Sequence, residues 1–238
     1  VFSTNWNRTF VLEAPAPTGG ALLIHGLSDS PYSMRAVAER LRAEGFTVVG
    51  LRVPGHGTCP AALARVSQED WTAAVRVAAA GLRSRIPGGA PLVIVGYSNG
   101  GALGVNYALE SLEIASLPRP QAIVLFSPMI GITPTATVTR LHRPIAALSG
   151  EARAHWSSLG AEIDPFKYSA WPMNASVQAW QMTRQVEQRL AAMTQAGRMA
   201  ELPPILAFQS VVDSTVITPV LISQLFDRVA RNGSELVL

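Results

Sequence analysis

Short aliphatic and β-branched runs alternate along the chain with longer stretches whose apolar residues recur every three or four positions. The first pattern reads as strands, the second as amphipathic helices. Strand-like runs fall at 8–12, 21–24, 47–52, 92–95, 122–126, 205–208 and 235–238. Leu92-Val93-Ile94-Val95 has no polar position at all, as expected of a strand covered on both faces. Between the strands, 30–43 puts Met34, Val37, Ala38 and Leu41 on one helical face and closes at Gly45. The stretch 69–85 runs on Ala, Val and Leu as far as Pro87-Gly88-Gly89, and a third helix follows Asn99. Helices are also predicted over 178–199 and 221–231, the last closed by Asn232-Gly233. This alternation predicts an α/β fold, a mainly parallel sheet flanked by helices.

One region breaks the rhythm. From 131 to 202 no strand-like run appears, too long a gap for an ordinary crossover. It holds three of the five tryptophans (Trp156, Trp171, Trp180) and four of the six methionines (Met173, Met182, Met193, Met199). Such a stretch reads as a mostly helical cap inserted after the strand at 122–126. The core domain would then comprise 1–130 and 203–238. Those bulky side chains either face a ligand or pack the cap onto the body, and the sequence leaves both open.

Composition narrows the class. With 238 residues, 48% hydrophobic and only 15% charged, the chain can bury one sizeable core. No run approaches the ~18 apolar residues of a membrane span, so a soluble domain is expected. Nineteen basic and sixteen acidic residues leave +3, and Lys167 is the only lysine. The arginines are scattered without interleaved aromatics, which gives nucleic-acid binding no support. The scarcity of lysine hints at a high-GC bacterial source. The single Cys59 excludes an internal disulfide and is expected to be a small buried hydrophobe. A chain beginning at Val1 is compatible with a cytoplasmic protein or one exported after removal of an N-terminal segment. Nothing in the sequence sets an oligomeric state.

The sharpest chemical signal is Gly96-Tyr97-Ser98-Asn99-Gly100, placed between a buried strand and a helix. A serine at such a turn projects its hydroxyl beyond the sheet, and flanking glycines let the backbone pass close by. The helix N-terminus behind it offers N–H groups and a positive dipole end to a developing oxyanion. No cluster of His, Asp and Glu at metal-ligand spacing appears, so no metal is expected. No G-x-G-x-x-G opens a helix after the first strand, so no dinucleotide cofactor is expected either.

These motifs together resemble the α/β-hydrolases, in particular the branch of bacterial carboxylesterases and monoacylglycerol lipases. Leu22-Leu23-Ile24-His25-Gly26-Leu27 with Ser30-Pro31 resembles that branch's oxyanion loop, and Pro54-Gly55-His56-Gly57 its Gly-His-Gly loop. Gly96 to Gly101 matches the nucleophile elbow. Pro204-Ile205-Leu206 with Asp213 and Val216 resembles the acid-bearing strand and loop, with Ser210 where the family usually has glycine. The resemblance implies Ser98 as nucleophile, the backbone N–H groups of Leu27 and Asn99 as oxyanion hole, and Asp213 as the triad acid. Asp227 is the competing carboxylate, but it lies in a helical pattern.

The resemblance also implies a histidine after the acid, and none follows Asp213. His25 and His56 belong to loops that they are expected to brace, while His142 and His155 lie in the cap. The base is therefore expected beyond Leu238, in the loop after the last strand. The function so implied is serine-dependent hydrolysis of a small-molecule carboxylic ester with an apolar acyl or glyceride-like part. Two alternatives stay open: an amidase or acyltransferase on the same fold, and a catalytically incomplete protein that binds an apolar ligand or a partner.

Overall fold

A computed structural model of the chain describes residues 5–131, 155–213 and 216–238. A seven-stranded sheet runs through the middle. Its strands are β1 (Phe10–Leu12), β2 (Gly19–Ile24), β3 (Phe46–Leu51), β4 (Leu92–Tyr97), β5 (Ala122–Phe126), β8 (Ile205–Phe208) and β9 (Glu235–Val237), in the order β1-β3-β2-β4-β5-β8-β9. Only β1 is antiparallel to its neighbour. The predicted strands are all present, with ends differing by one or two residues. β2 is buried at every position, which its Gly-Gly-Ala-Leu-Leu-Ile sequence permits and a two-faced cover requires.

The helices follow from local chemistry. α2 (Gln68–Arg83) opens on a capping box, Ser67 and Asp70 each taking the other's backbone N–H. α3 (Asn99–Glu113) is buried almost throughout, a core helix whose buried positions include the polar Asn106, Glu110 and Ser111. α1 (Arg35–Ala43) is preceded by a 3₁₀ turn over Pro31–Met34, where the sequence predicted one continuous helix. Pro31 suits the first position of a helical turn and starts that segment. The predicted helix at 178–199 begins earlier and ends earlier, as α4 (Met173–Gln195). The predicted helix at 221–231 is instead α5 (Thr218–Leu221) running into a π turn over Ile222–Phe226. Pro219 moves its start upstream, and the bond from Asp227 N–H to the Ile222 carbonyl widens its last turn.

α2, α3, α4 and α5 cover one face of the sheet and share the larger hydrophobic cluster, around Trp71, Tyr107, Ile94 and Leu125. Met182, Met193 and Met199 belong to that cluster. Of the two roles left open for the methionines, these three take packing. The 3₁₀ turn and α1 cover part of the other face through Met34 and Ala38, against Leu23, Val48 and Val95. A two-stranded antiparallel ladder, β6 (Trp156–Ser158) with β7 (Trp171–Pro172), precedes α4 and was not expected from the sequence. Cys59 is exposed rather than buried, because it caps the 3₁₀ turn Pro60–Ala64 in an extended conformation on the outside of a loop.

The strand order decides where chemistry can occur. β3 lies on one side of β2 and β4 on the other, so the connections leave β2 and β4 toward opposite sides. In parallel sheets a ligand crevice forms outside the carboxyl ends at such a switch point.

Candidate active site

Ser98 sits at the carboxyl end of β4 with φ 52°, in the left-handed region that residues with a Cβ seldom occupy. The turn is that sharp because α3 begins at the next residue. Two glycines make it possible. A Cβ on Gly96 would meet the Gly100 carbonyl and Gly101 Cα at 2.5 and 2.6 Å, and one on Gly100 would strike the Ile24 carbonyl oxygen. The Ser98 carbonyl accepts from Gly101, Ala102 and Met129 N–H, which anchors the elbow to α3 and to the segment after β5. The first N–H groups of α3, Asn99 among them, have no acceptor within the helix.

The loop after β2 is fastened by two buried histidines. His25 Nε2 accepts from Val53 N–H at 3.2 Å, so the ring proton is on Nδ1, 2.8 Å from the Gly26 carbonyl oxygen. That carbonyl shares a trans peptide with Leu27 N–H, and the two point in opposite directions. Holding one therefore aims the other. Asp29 N–H donates to the same Gly26 oxygen. His56 Nε2 lies 2.7 Å from the Leu27 carbonyl, and its Nδ1 lies 3.2 and 3.1 Å from the Val53 and Pro54 carbonyls. The pKa of His25 is lowered well below its ordinary value, chiefly by burial and further by His56. That of His56 is also lowered by burial, against the pull of the carbonyls around it. Asp29, in the same loop, has its carboxyl raised by burial, while Lys167 opposes the rise from 3.9 Å.

The loop that carries Asp213 leaves β8, separated from β4 by β5 alone. Asp213 is half-buried there. Its Oδ1 accepts from Val216 N–H at 3.0 Å and its Oδ2 from Gln209 Nε2 at 3.3 Å. Gln209 is itself buried and tied to β9, its N–H donating to the Val237 carbonyl.

A family model described as serine aminopeptidase, S33, matches residues 15–236. The chain belongs to that family. It is 27% identical over 222 residues to the thermostable monoacylglycerol lipase of Bacillus sp. (strain H-257), covering 92% of this chain and 79% of that protein. Among solved structures it is similar to one from work on the metagenome-derived lipolytic enzymes LipS and LipT, with a TM-score of 0.75 and 24% identity over 98% of this chain and 86% of that one. It is also similar to a soluble variant of monoglyceride lipase from Saccharomyces cerevisiae bound to a substrate analog, with a TM-score of 0.71 and 15% identity over 97% of this chain and 81% of that one. The fold is that of the α/β-hydrolases, and family membership makes the protein a hydrolase of that class.

Within this family frame each sequence-predicted residue has a definite place. Leu27 lies in the loop after β2, Ser98 in the turn after the adjacent β4 and Asn99 at the start of α3, and Asp213 lies at the same carboxyl edge after β8. Asp227 is exposed at the end of the π turn. His155 is exposed beside an apolar cleft of about 200 Å³ lined with Ala61, Ala64, Trp156, Pro172, Met173 and Asn174. His142 lies outside the described residues. Among the described residues no group of three or more His, Cys, Asp or Glu is arranged to hold a metal ion. Gln209 and Tyr168 escaped the sequence reading. Gln209 could have been found as a polar residue ending a buried strand next to the acid loop, whereas nothing local marked Tyr168.

Proposed function

We propose that the protein hydrolyses carboxylic esters through an acyl-enzyme on Ser98. The observation that carries this reading is the Ser98 φ of 52°, a strained conformation held at a strand-to-helix turn in a G-x-S-x-G sequence. Ser98 Oγ attacks the ester carbonyl carbon while its proton passes to a general base. The oxyanion is held by the Leu27 and Asn99 N–H groups, each contributing about 3 kcal/mol to the tetrahedral intermediate. Collapse expels the alcohol, protonated by the same base, and water then releases the carboxylic acid.

Asp213 orients the base in this proposal. His25 and His56 are unsuited to that part, being buried and committed to backbone groups. The base is proposed to be a histidine following β9. That strand runs parallel to β8, so a chain continuing from Val237 leaves at the edge where Gln209 leads into the Asp213 loop. The cap is proposed to span 131–202 and to favour an apolar acyl part. The apolar cleft beside Trp156 and Met173 supports that preference.

The test is labelling of the natural full-length chain by a fluorophosphonate, with turnover of p-nitrophenyl esters of graded chain length. Labelling and turnover that vanish together in Ser98→Ala are expected. No label and no turnover in the natural protein would overturn the reading. The family description also names aminopeptidase activity. Aminoacyl anilides assayed beside the esters, with faster turnover of the anilides, would favour that second reading.

A further inference from the structure

Every residue of the short segment 165–168 touches the oxyanion side of the site or the chain that braces it. Asn7 Nδ2 donates to the Pro165 carbonyl at 2.7 Å, which ties the segment to the start of the chain leading into β1. Phe166 stacks on Tyr32, with ring centroids 3.6 Å apart and planes 11° from parallel. Tyr32 belongs to the 3₁₀ turn that closes the loop after β2. Lys167, the only lysine, reaches the buried Asp29 carboxylate. Tyr168 makes the most telling contacts. Its N–H donates to the Ser28 carbonyl at 2.7 Å, one peptide beyond Leu27. Its hydroxyl accepts from Thr58 N–H at 2.9 Å and donates to the Gly55 carbonyl at 3.3 Å. Its ring lies nearly parallel to that of His56, at 12° and 6.3 Å.

Tyr168 thus links two loops that meet at Leu27. One is held through Ser28. The other is the turn at 54–58, which carries His56 onto the Leu27 carbonyl. We propose that residues 165–168 form a strap through which the cap positions the oxyanion hole, with Tyr168 as the positioning residue. The proposal rests on the ester-hydrolase reading for the part played by Leu27 N–H. Its physical content is that the direction of this N–H is set from two sides. The β2 side supplies His25, and the cap supplies Ser28 and the His56 turn through Tyr168. A donor that drifts from its aim loses oxyanion stabilisation steeply, while substrate binding in the ground state is little affected.

The experiment uses the natural full-length chain with Tyr168→Phe, which removes the hydroxyl and keeps the ring. A fall in kcat of about tenfold is expected, with KM for a short p-nitrophenyl ester within twofold of wild type. Affinity for an alkyl boronic acid, which forms a tetrahedral adduct on Ser98, should fall by the same factor. Hydrogen exchange in the peptide covering 26–30 should speed up. Ser176→Ala, a cap change that touches neither loop, should leave all three readouts at wild-type values.

A Tyr168→Phe protein with wild-type kcat and boronate affinity, even if less stable, would overturn the proposal. Should that variant fail to fold, Phe166→Leu and Lys167→Met replace it. Each should lower kcat two- to threefold, and unchanged kcat in both would sink the strap. If the natural protein turns over no ester, the ester-hydrolase reading fails separately. The exchange measurement then decides the strap alone, unchanged protection at 26–30 counting against it.

Discussion

The loops on either side of the elbow are held in opposite ways. On the β2 side, residues 25–30 are mostly buried, and His25, His56 and Tyr168 tie three successive backbone carbonyls, those of Gly26, Leu27 and Ser28. On the β8 side, the Asp213 carboxylate accepts from Val216 N–H at 3.0 Å and from Gln209 Nε2 at 3.3 Å, and Asp213 follows Val211 and Val212, which are 67% and 84% exposed. The contrast shows that the groups proposed to stabilise charge are built into the scaffold, where low dielectric strengthens them. The proposed acid, Asp213, follows two exposed valines instead.

The largest effect should come from Gly100→Ala, which attacks the junction of elbow and oxyanion loop. The new Cβ meets the Ile24 and His25 carbonyl oxygens, and both are backbone atoms that the sheet prevents from retreating. A loss of about 3 kcal/mol in urea unfolding, with loss of fluorophosphonate labelling, is expected. Wild-type stability would show that the junction is looser than described.

Next comes His56→Leu, which removes the ring lying 2.7 Å from the part-buried Leu27 carbonyl and should cost about 2 kcal/mol. The matching change on the other side, Gln209→Leu, removes one bond to the half-buried Asp213 and should cost about 1 kcal/mol or less. Urea titrations of both variants compare the two loops directly. Equal losses would erase the difference between them.

A pH titration sharpens the same contrast. His25 and His56 have folded pKa values below the ordinary 6.5, so the unfolded chain binds more protons once pH drops past that value. Their stabilising contribution is complete above 6.5 and is lost progressively as pH falls toward the folded values. Asp29 has the opposite sign, since its raised carboxyl favours the folded state at low pH and loses that contribution as pH rises through the folded value. Unfolding free energy measured between pH 7 and 5 should decline, and His56→Gln should flatten the decline. The smallest effect is expected of Val211→Ser and Val212→Ser, each within about 0.5 kcal/mol in urea unfolding.

Much of the fold was legible because buried parallel strands and core helices leave strong local patterns. Leu92-Val93-Ile94-Val95 and Ile205-Leu206-Ala207-Phe208 could hardly be other than strands in this context. The elbow was legible for the same local reason, since Gly96 and Gly100 are needed within two residues of Ser98. What escaped was set by partners far along the chain. The β6–β7 ladder pairs two short segments with little strand signal of their own. Small apolar residues are usually buried, yet Cys59 is exposed at the cap of the Pro60–Ala64 turn, a placement no local pattern marks. Gln209 and Tyr168 looked like ordinary polar and aromatic positions until the fold brought them to Asp213 and Ser28.

The sequence by itself determined the α/β architecture and the serine turn, because periodicity and glycine placement act over a few residues. Only the tertiary structure decided how the loop after β2 is held, which methionines pack the core and which groups meet the Asp213 carboxylate. Those outcomes depend on hydrogen bonds and contacts between residues more than a hundred positions apart, such as Tyr168 with Gly55 and Thr58, which no local pattern encodes.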